Sequence, residues 1–310
     1  MPVEYREEPC RSALNHVKGM PFAWSLNPYM GCAHRCTFCY VRAFERRADR
    51  PFDDRYGRAI RVKVNVAEVL ARELARRSWR REGIAIGAAT DPYQPAEGRY
   101  RLTRSCIERL AAARNPFSLI TRGPLIVRDV DVLQEAARRA EVSVTFSVPT
   151  LDERVWRTTE PGTAPPRQRL RALRLLVDSG IRASVGMAPI LPGISDRPEQ
   201  LAEVVRAARE AGAAGIWANL LYLRPGTREH FLTQLALDWP EELDRYERLY
   251  AQRAYLASEE TQPVREEVSR LRRGYAIGDR RSQPLAPPPQ PEQLTLALDP
   301  AESVRRVRRS

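Results

Sequence analysis

Between residues 22 and 223 the apolar positions fall into two alternating patterns. Short apolar runs at 22–31, 83–90, 116–121, 141–148, 181–188 and 215–223 are bounded by Gly, Pro or Asn, and each predicts a strand. Between them the spacing changes to that of a helix. Over 66–81, Val66, Val69, Leu70, Leu74 and Ala75 share one stripe, with Asn65 as the expected cap. Further helices are predicted near 103–114 (Thr103 as cap), 126–140 (Val127, Val130, Leu133, Ala137), 166–179 and 198–211. In the last of these Pro198 suits the first turn, and Leu201, Val204, Val205 and Ala208 face the core. Six apolar strands separated by amphipathic helices imply a parallel sheet. Without a dinucleotide fingerprint in the turns, a partial or complete α/β barrel fits better than an open doubly wound sheet.

Outside this region the pattern weakens. Residues 1–20 show no clear periodicity and read as an N-terminal extension before a core at 21–226. Residues 227–278 read as a helical extension, with Asp238 and Pro240 starting a helix to about 257. From Asp279 a proline-rich, then basic, segment runs to 310 and is expected to be disordered. Within it, Gln293-Leu-Thr-Leu-Ala-Leu298 resembles the peptides that bind the bacterial DNA sliding clamp, without their final aromatic; an unstructured tail is the alternative.

Composition narrows the class. A chain of 310 residues, 43% hydrophobic and 29% charged, can bury one barrel-sized core and contains no apolar run of membrane-spanning length. No signal-peptide pattern opens it, so the cytoplasm is the expected location, where five cysteines stay reduced and a disulfide framework is excluded. The net charge of +12 suits an anionic partner such as nucleic acid. Between 41 and 64, Arg42, Arg46, Arg47, Arg50, Arg55, Arg58 and Arg61 interleave with Phe44, Phe52 and Tyr56, a mixture suited to phosphates and bases or to a solvated basic loop.

The most specific chemistry is the C-x3-C-x2-C run of Cys32, Cys36 and Cys39. Three thiolates from one loop can hold three irons of a cubane that normally takes four cysteines, which leaves one iron open for chemistry. With His34 the same residues offer a Cys3His zinc site, but zinc sites usually pair two separated knuckles, and no second knuckle follows.

The run, with Tyr40 after its last cysteine, resembles the signature of the radical S-adenosylmethionine (SAM) enzymes. Three further segments narrow the likeness: Val62-Lys63-Val-Asn65, Thr90-Asp-Pro-Tyr-Gln-Pro95 and Pro189-Ile-Leu-Pro-Gly193. Together the four are similar to the spore photoproduct lyase-like radical SAM proteins over about residues 20–260. The resemblance implies a partial (β/α)6 TIM-type barrel and a [4Fe–4S] cluster whose open iron chelates SAM. It also implies a flavodoxin- or ferredoxin-type electron donor and reductive cleavage of SAM to methionine and a 5′-deoxyadenosyl radical. By the same resemblance Phe38 and Tyr40 pack near the adenosyl group, while Thr90, Asp91, Arg122 and Ser147 hold SAM or substrate; for Thr90 and Ser147, strand-end capping is the alternative. One departure matters. The lyases carry a hydrogen-donating cysteine after the second strand, where this chain reads Gly87-Ala-Ala-Thr90. Cys106, on the following predicted helix, is the remaining candidate donor, and thymine-dimer lyase activity is not expected. A reading from another class is a nucleic-acid-associated protein with a structural or redox-sensing metal site and no SAM turnover.

Overall fold

The computed structural model describes residues 2–280. Its strands are β1 (Glu4–Glu8), β2 (Leu14–His16), β3 (Trp24–Leu26), β4 (Tyr29–Met30), β5 (Ala59–Lys63) and β6 (Ile84–Ile86), then β7 (Phe117–Thr121), β8 (Val142–Ser147), β9 (Ala183–Ile190), β10 (Gly215–Leu220) and β11 (Gly278–Asp279). The six predicted strands survive as β3, β6, β7, β8, β9 and β10, side by side in sequence order with every neighbouring pair parallel. β2 pairs antiparallel with β3 and β11 parallel with β10, so these two are the edges of the sheet among the described residues. This is a partial barrel of βα units.

All six residues of β8 are buried. Val142, Val144 and Phe146 belong to the apolar core, while Ser143, Thr145 and Ser147 alternate with them. Covering the apolar row, the helices Val66–Leu74, Leu102–Ala112, Val130–Arg139, Pro166–Asp178 and Pro198–Glu210 bury most of the stripes their spacing predicts, but Ala75 and Ala137 are exposed and Ala136 takes the buried place beside Leu133.

Several local expectations change. The predicted first strand divides at Asn27 and Pro28. β3 stays in the parallel sheet, whereas β4 pairs antiparallel with β5 in a second, three-stranded sheet ordered β1-β5-β4. β1 reads Glu-Tyr-Arg-Glu-Glu and is mostly exposed, so apolar alternation does not announce it. Asn65 makes no cap bond: its Oδ1 accepts from Cys10 N at 2.7 Å and its Nδ2 donates to Cys10 O at 3.2 Å, tying the N-terminal segment down instead. The helix behind it ends at Leu74. Thr103 lies inside its helix, its hydroxyl donating to Pro92 O at 2.6 Å. A tighter 3-10 turn, Pro124–Asp129, precedes the helix Val130–Arg139. Asp238 ends the helix Thr227–Asp238 and starts none; Leu243–Leu249 and Ser258–Gly274 follow. Asp279, expected to open the linker, instead pairs with Ile216. The sliding-clamp-like segment Gln293 to Leu298 lies outside the described residues. No helix among the described residues is long and apolar enough to cross a membrane.

Candidate active site

The cysteine loop leaves β4 and ends in the helix Arg42–Arg47. It starts at Gly31, whose φ of 85° suits glycine and where an added Cβ would lie 3.1 Å from Ala59 O. Three strand ends then hold its backbone. From the segment after β6, Thr90 Oγ1 and Gln94 Nε2 donate to Gly31 O at 2.7 and 3.0 Å, and Gln94 Oε1 accepts from Ala33 N at 2.9 Å. From the segment after β8, Gly162 N donates to His34 O at 3.0 Å and Thr159 O accepts from Thr37 N at 2.9 Å. From the segment after β10, Thr227 Oγ1 donates to Cys39 O at 3.1 Å.

Beneath the loop Arg42 is 2% exposed. Its Nη1 donates to Phe52 O and Asp53 O at 2.6 and 2.7 Å, and its guanidinium lies 4.6 Å from the Tyr56 ring centre. The Tyr56 hydroxyl in turn sits 3.4 Å from Cys39 Sγ. Gly57, with a φ of 74°, packs directly on the loop, and a Cβ there would fall 2.2 Å from Cys32 O. Gly57→Ala is therefore expected to displace the loop and lower bound iron severalfold, beyond the roughly 1–2 kcal/mol of left-handed backbone strain. Iron and sulfide assays on anaerobically prepared protein check this, and wild-type iron content in the variant would show that the close packing is not needed.

Cys32 and Cys36 are buried and Cys39 is partly so. Burial pushes the Cys36 and Cys39 thiols up, against the smaller opposing effects of Arg122 on the first and the Tyr56 hydroxyl on the second. Desolvated thiols of this kind become thiolates once a coordinated metal supplies the positive charge. Among the described residues no three His, Cys, Asp or Glu side chains converge on a single ion. A cubane needs no such convergence, since each cysteine binds a different iron, and three thiols from one loop are a donor set that fits an iron–sulfur cluster.

His34 lies between Cys32 and Asp91. Its Nδ1 lies 3.3 Å from Asp91 Oδ2, within ion-pair reach but off a hydrogen-bond line. Burial disfavours its charge, yet the Cys32 sulfur and the Asp91 carboxylate outweigh burial and push its pKa up to about 10. For Asp91, burial acts upward, but His34 and hydrogen bonds from Thr121 Oγ1 and Arg122 N prevail and bring it to about 2.

The other residues expected at the strand ends take distinct places. Thr90 and Asp91 direct their side chains to the loop and its supports. Arg122 lies with its guanidinium 5.7 Å from the Phe38 ring centre and pairs through Nε with Glu160. Glu160 also pairs with Arg169 at 2.8 Å, both fully buried, and Arg169 Nη1 donates to Ser147 O at 2.8 Å. Ser147 thus enters this network through its carbonyl. The Tyr40 hydroxyl donates to Ala88 O, and its ring meets Phe44 edge-on at 5.9 Å. Cys106 is fully buried in the helical layer, its thiol pushed up by burial, and Cys10 is held beside Asn65. Sequence reasoning missed Arg42, Tyr56, Glu160, Arg169 and Thr227 as supports. Arg42 carries no signal as one of seven arginines between 41 and 64, and Thr227 is 188 residues from its partner Cys39. Gln94 belongs to the Thr90–Pro95 segment and is legible as a strand-end polar residue.

The family model described as Radical SAM superfamily matches residues 26–205, from the end of β3 into the helix Pro198–Glu210. The uncharacterized protein Rv2578c of Mycobacterium tuberculosis is 37% identical over 305 residues, covering 97% of this chain and 88% of that protein. The radical SAM Nalpha-GlyT isomerase of Pseudomonas phage M6 is 27% identical over 168 residues, covering 54% of this chain and 33% of its own. Among solved structures, a spore photoproduct lyase variant with bound AdoMet and dinucleoside spore photoproduct superposes with a TM-score of 0.69 at 16% identity, covering 89% of this chain and 80% of that one. At that identity the likeness is one of fold.

Proposed function

Because the chain belongs to the radical SAM superfamily, we propose that Cys32, Cys36 and Cys39 hold a [4Fe–4S] cluster with one iron open to SAM, and that the enzyme abstracts hydrogen from a nucleic-acid substrate. The observation that carries the first half is the three-thiol loop itself, pinned from three strand ends, with Cys10 and Cys106 both held elsewhere in the fold. When bound, the cluster would supply one electron to SAM, whose cleavage gives methionine and a 5′-deoxyadenosyl radical that becomes 5′-deoxyadenosine on taking a hydrogen atom from the substrate.

The chain's own residues do the rest. Arg42 and Tyr56 stiffen the loop from below, and Thr90, Asp91 and Gln94 position it from the side. Phe38 and Tyr40 offer aromatic surface for the adenosyl group; Arg122, fixed by Glu160, offers a cation beside Phe38, and Ser147 lines the same end of the sheet. Burial of Phe38 and Cys36 excludes water from the loop. A small acidic redox protein of the flavodoxin or ferredoxin type would reduce the cluster. Nucleic acid is favoured as substrate by the +12 charge, by the basic segment around the exposed Tyr40 and Phe44, and by a fold shared with a lyase that holds a dinucleoside lesion. With no thiol at Gly87-Ala-Ala-Thr90, thymine-dimer lyase activity is not part of the proposal.

Anaerobic reconstitution with iron and sulfide, followed by dithionite and SAM, is expected to yield methionine and 5′-deoxyadenosine. A fully loaded protein that forms neither product sinks the proposal. Deuterium appearing in 5′-deoxyadenosine from deuterated nucleic acid, and not from deuterated metabolites, would establish the substrate class.

A further inference from the structure

Tyr222 and Tyr255 stand just beyond β10 with ring centres 4.2 Å apart and planes inclined by 32°. Tyr255 is 63% exposed. Exposed aromatics are few here: among the described residues they are Tyr40, Phe44 and Tyr255. Tyr40 and Phe44 belong to the cysteine loop and its helix. Tyr255 is joined to the same end of the barrel by short links. Leu223 N donates to Ala254 O at 3.0 Å, and Thr227, four residues on from Leu223, donates to Cys39 O at 3.1 Å. Gly226 packs against the helix Arg42–Arg47, where an added Cβ would lie 3.1 Å from Arg46 Cβ.

The cations around these rings are arginines. Arg224 lies 5.4 Å from the Tyr222 ring centre and Arg47 6.0 Å from that of Phe44. Arg47 and Arg224 make no ion pair among the described residues, unlike Arg46, which is paired with Glu229. An exposed ring backed by a second ring, with the unpaired Arg224 guanidinium beside them, matches a ligand that alternates flat apolar faces with anions. Single-stranded nucleic acid has that chemistry: bases stack on aromatic side chains whatever their sequence, and guanidiniums bind the phosphates. An apolar peptide would instead meet a cationic rim.

We infer that Tyr255, backed by Tyr222 and Arg224, is a stacking platform for one base of a single-stranded nucleic acid beside the cysteine loop. The inference rests on the nucleic-acid reading above and names the residues that would seat the strand.

The test is fluorescence anisotropy of a short labelled single-stranded DNA with the cluster-loaded, unreduced protein across a range of salt. Tyr255→Ala is expected to weaken binding roughly ten- to hundredfold while leaving the salt slope unchanged, because stacking releases no counterions. Tyr255→Phe should bind like wild type. Arg224→Ala should weaken binding and lower the salt slope by about one. Tyr255 is exposed, so folding is not at stake in its variants. If wild type binds and Tyr255→Ala binds equally well, the platform is overturned while the nucleic-acid reading stands. If wild type cleaves SAM yet binds no single strand, both fall. If it binds in a Tyr255-dependent way without cleaving SAM, the platform stands and the enzyme reading falls.

Discussion

Cys36→Ala is expected to lose iron loading and SAM cleavage together, down to the background of protein never exposed to iron. Cys36 is buried against the apolar cluster that includes Phe38, Leu191 and Leu221, so neither water nor a surface side chain can easily take its place. No other thiol is positioned to substitute, since Cys10 is tied to Asn65 and Cys106 lies in the helical layer. Removing a metal-bound thiolate takes away both a bond and the charge that balances the irons. The controls separate this from a folding defect. Cys10→Ala and Cys106→Ala should both load iron and cleave SAM, with Cys106→Ala losing about 1 kcal/mol or somewhat more because its cavity is small and fully enclosed. Iron, sulfide and 5′-deoxyadenosine measured on the same samples decide the matter. Undiminished cleavage by Cys36→Ala would remove it from the ligand set.

Glu160→Ala is expected to destabilise the fold by about 3–5 kcal/mol, the cost of leaving a buried charge without its partner. Glu160 is fully buried between Arg169, also fully buried, and Arg122. Its loss strands two guanidiniums, and one of them carries the surface beside Phe38. The urea midpoint at unchanged slope measures the effect. The pH dependence has a definite sign. Burial acts to raise the Glu160 pKa, but Arg169 and Arg122 outweigh it and hold the carboxyl below its ordinary value. Its folded-state pKa is thus depressed, so the stability it contributes is fully present above the unfolded value near 4.3 and is lost as pH falls through the folded one. Glu160→Gln, which cannot titrate, should lose this part of the acid sensitivity. A Glu160→Ala protein as stable as wild type would mean that the two arginines find water or other partners.

Thr227 shows why the site was only partly legible. Its hydroxyl reaches Cys39 O across 188 residues of chain, and no local period or spacing marks such a bond. Asn65 shows the same limit from the other side. As a residue before an amphipathic stripe it reads as a helix cap, yet its amide is taken by Cys10, 55 residues away. β1 hides for a related reason: an exposed Glu-Tyr-Arg-Glu-Glu strand is held by its backbone ladder to β5, which side-chain pattern does not report.

The sequence by itself determined the six βα units, their order and the place of the three-cysteine loop after the first of them. Strand and helix periods and motif spacing are set within a few residues, where burial on one face must repeat every second or every third to fourth position. Only the tertiary structure decided what holds that loop. It supplied the clasp of Thr90, Gln94, Gly162 and Thr227, the Arg42 and Tyr56 floor, the Arg122–Glu160–Arg169 network, and the Tyr222–Tyr255 pair. These are contacts between strand ends that meet because the sheet curls. Which strand ends meet depends on packing summed over the whole chain, so the loop's identity was local information and its surroundings were not.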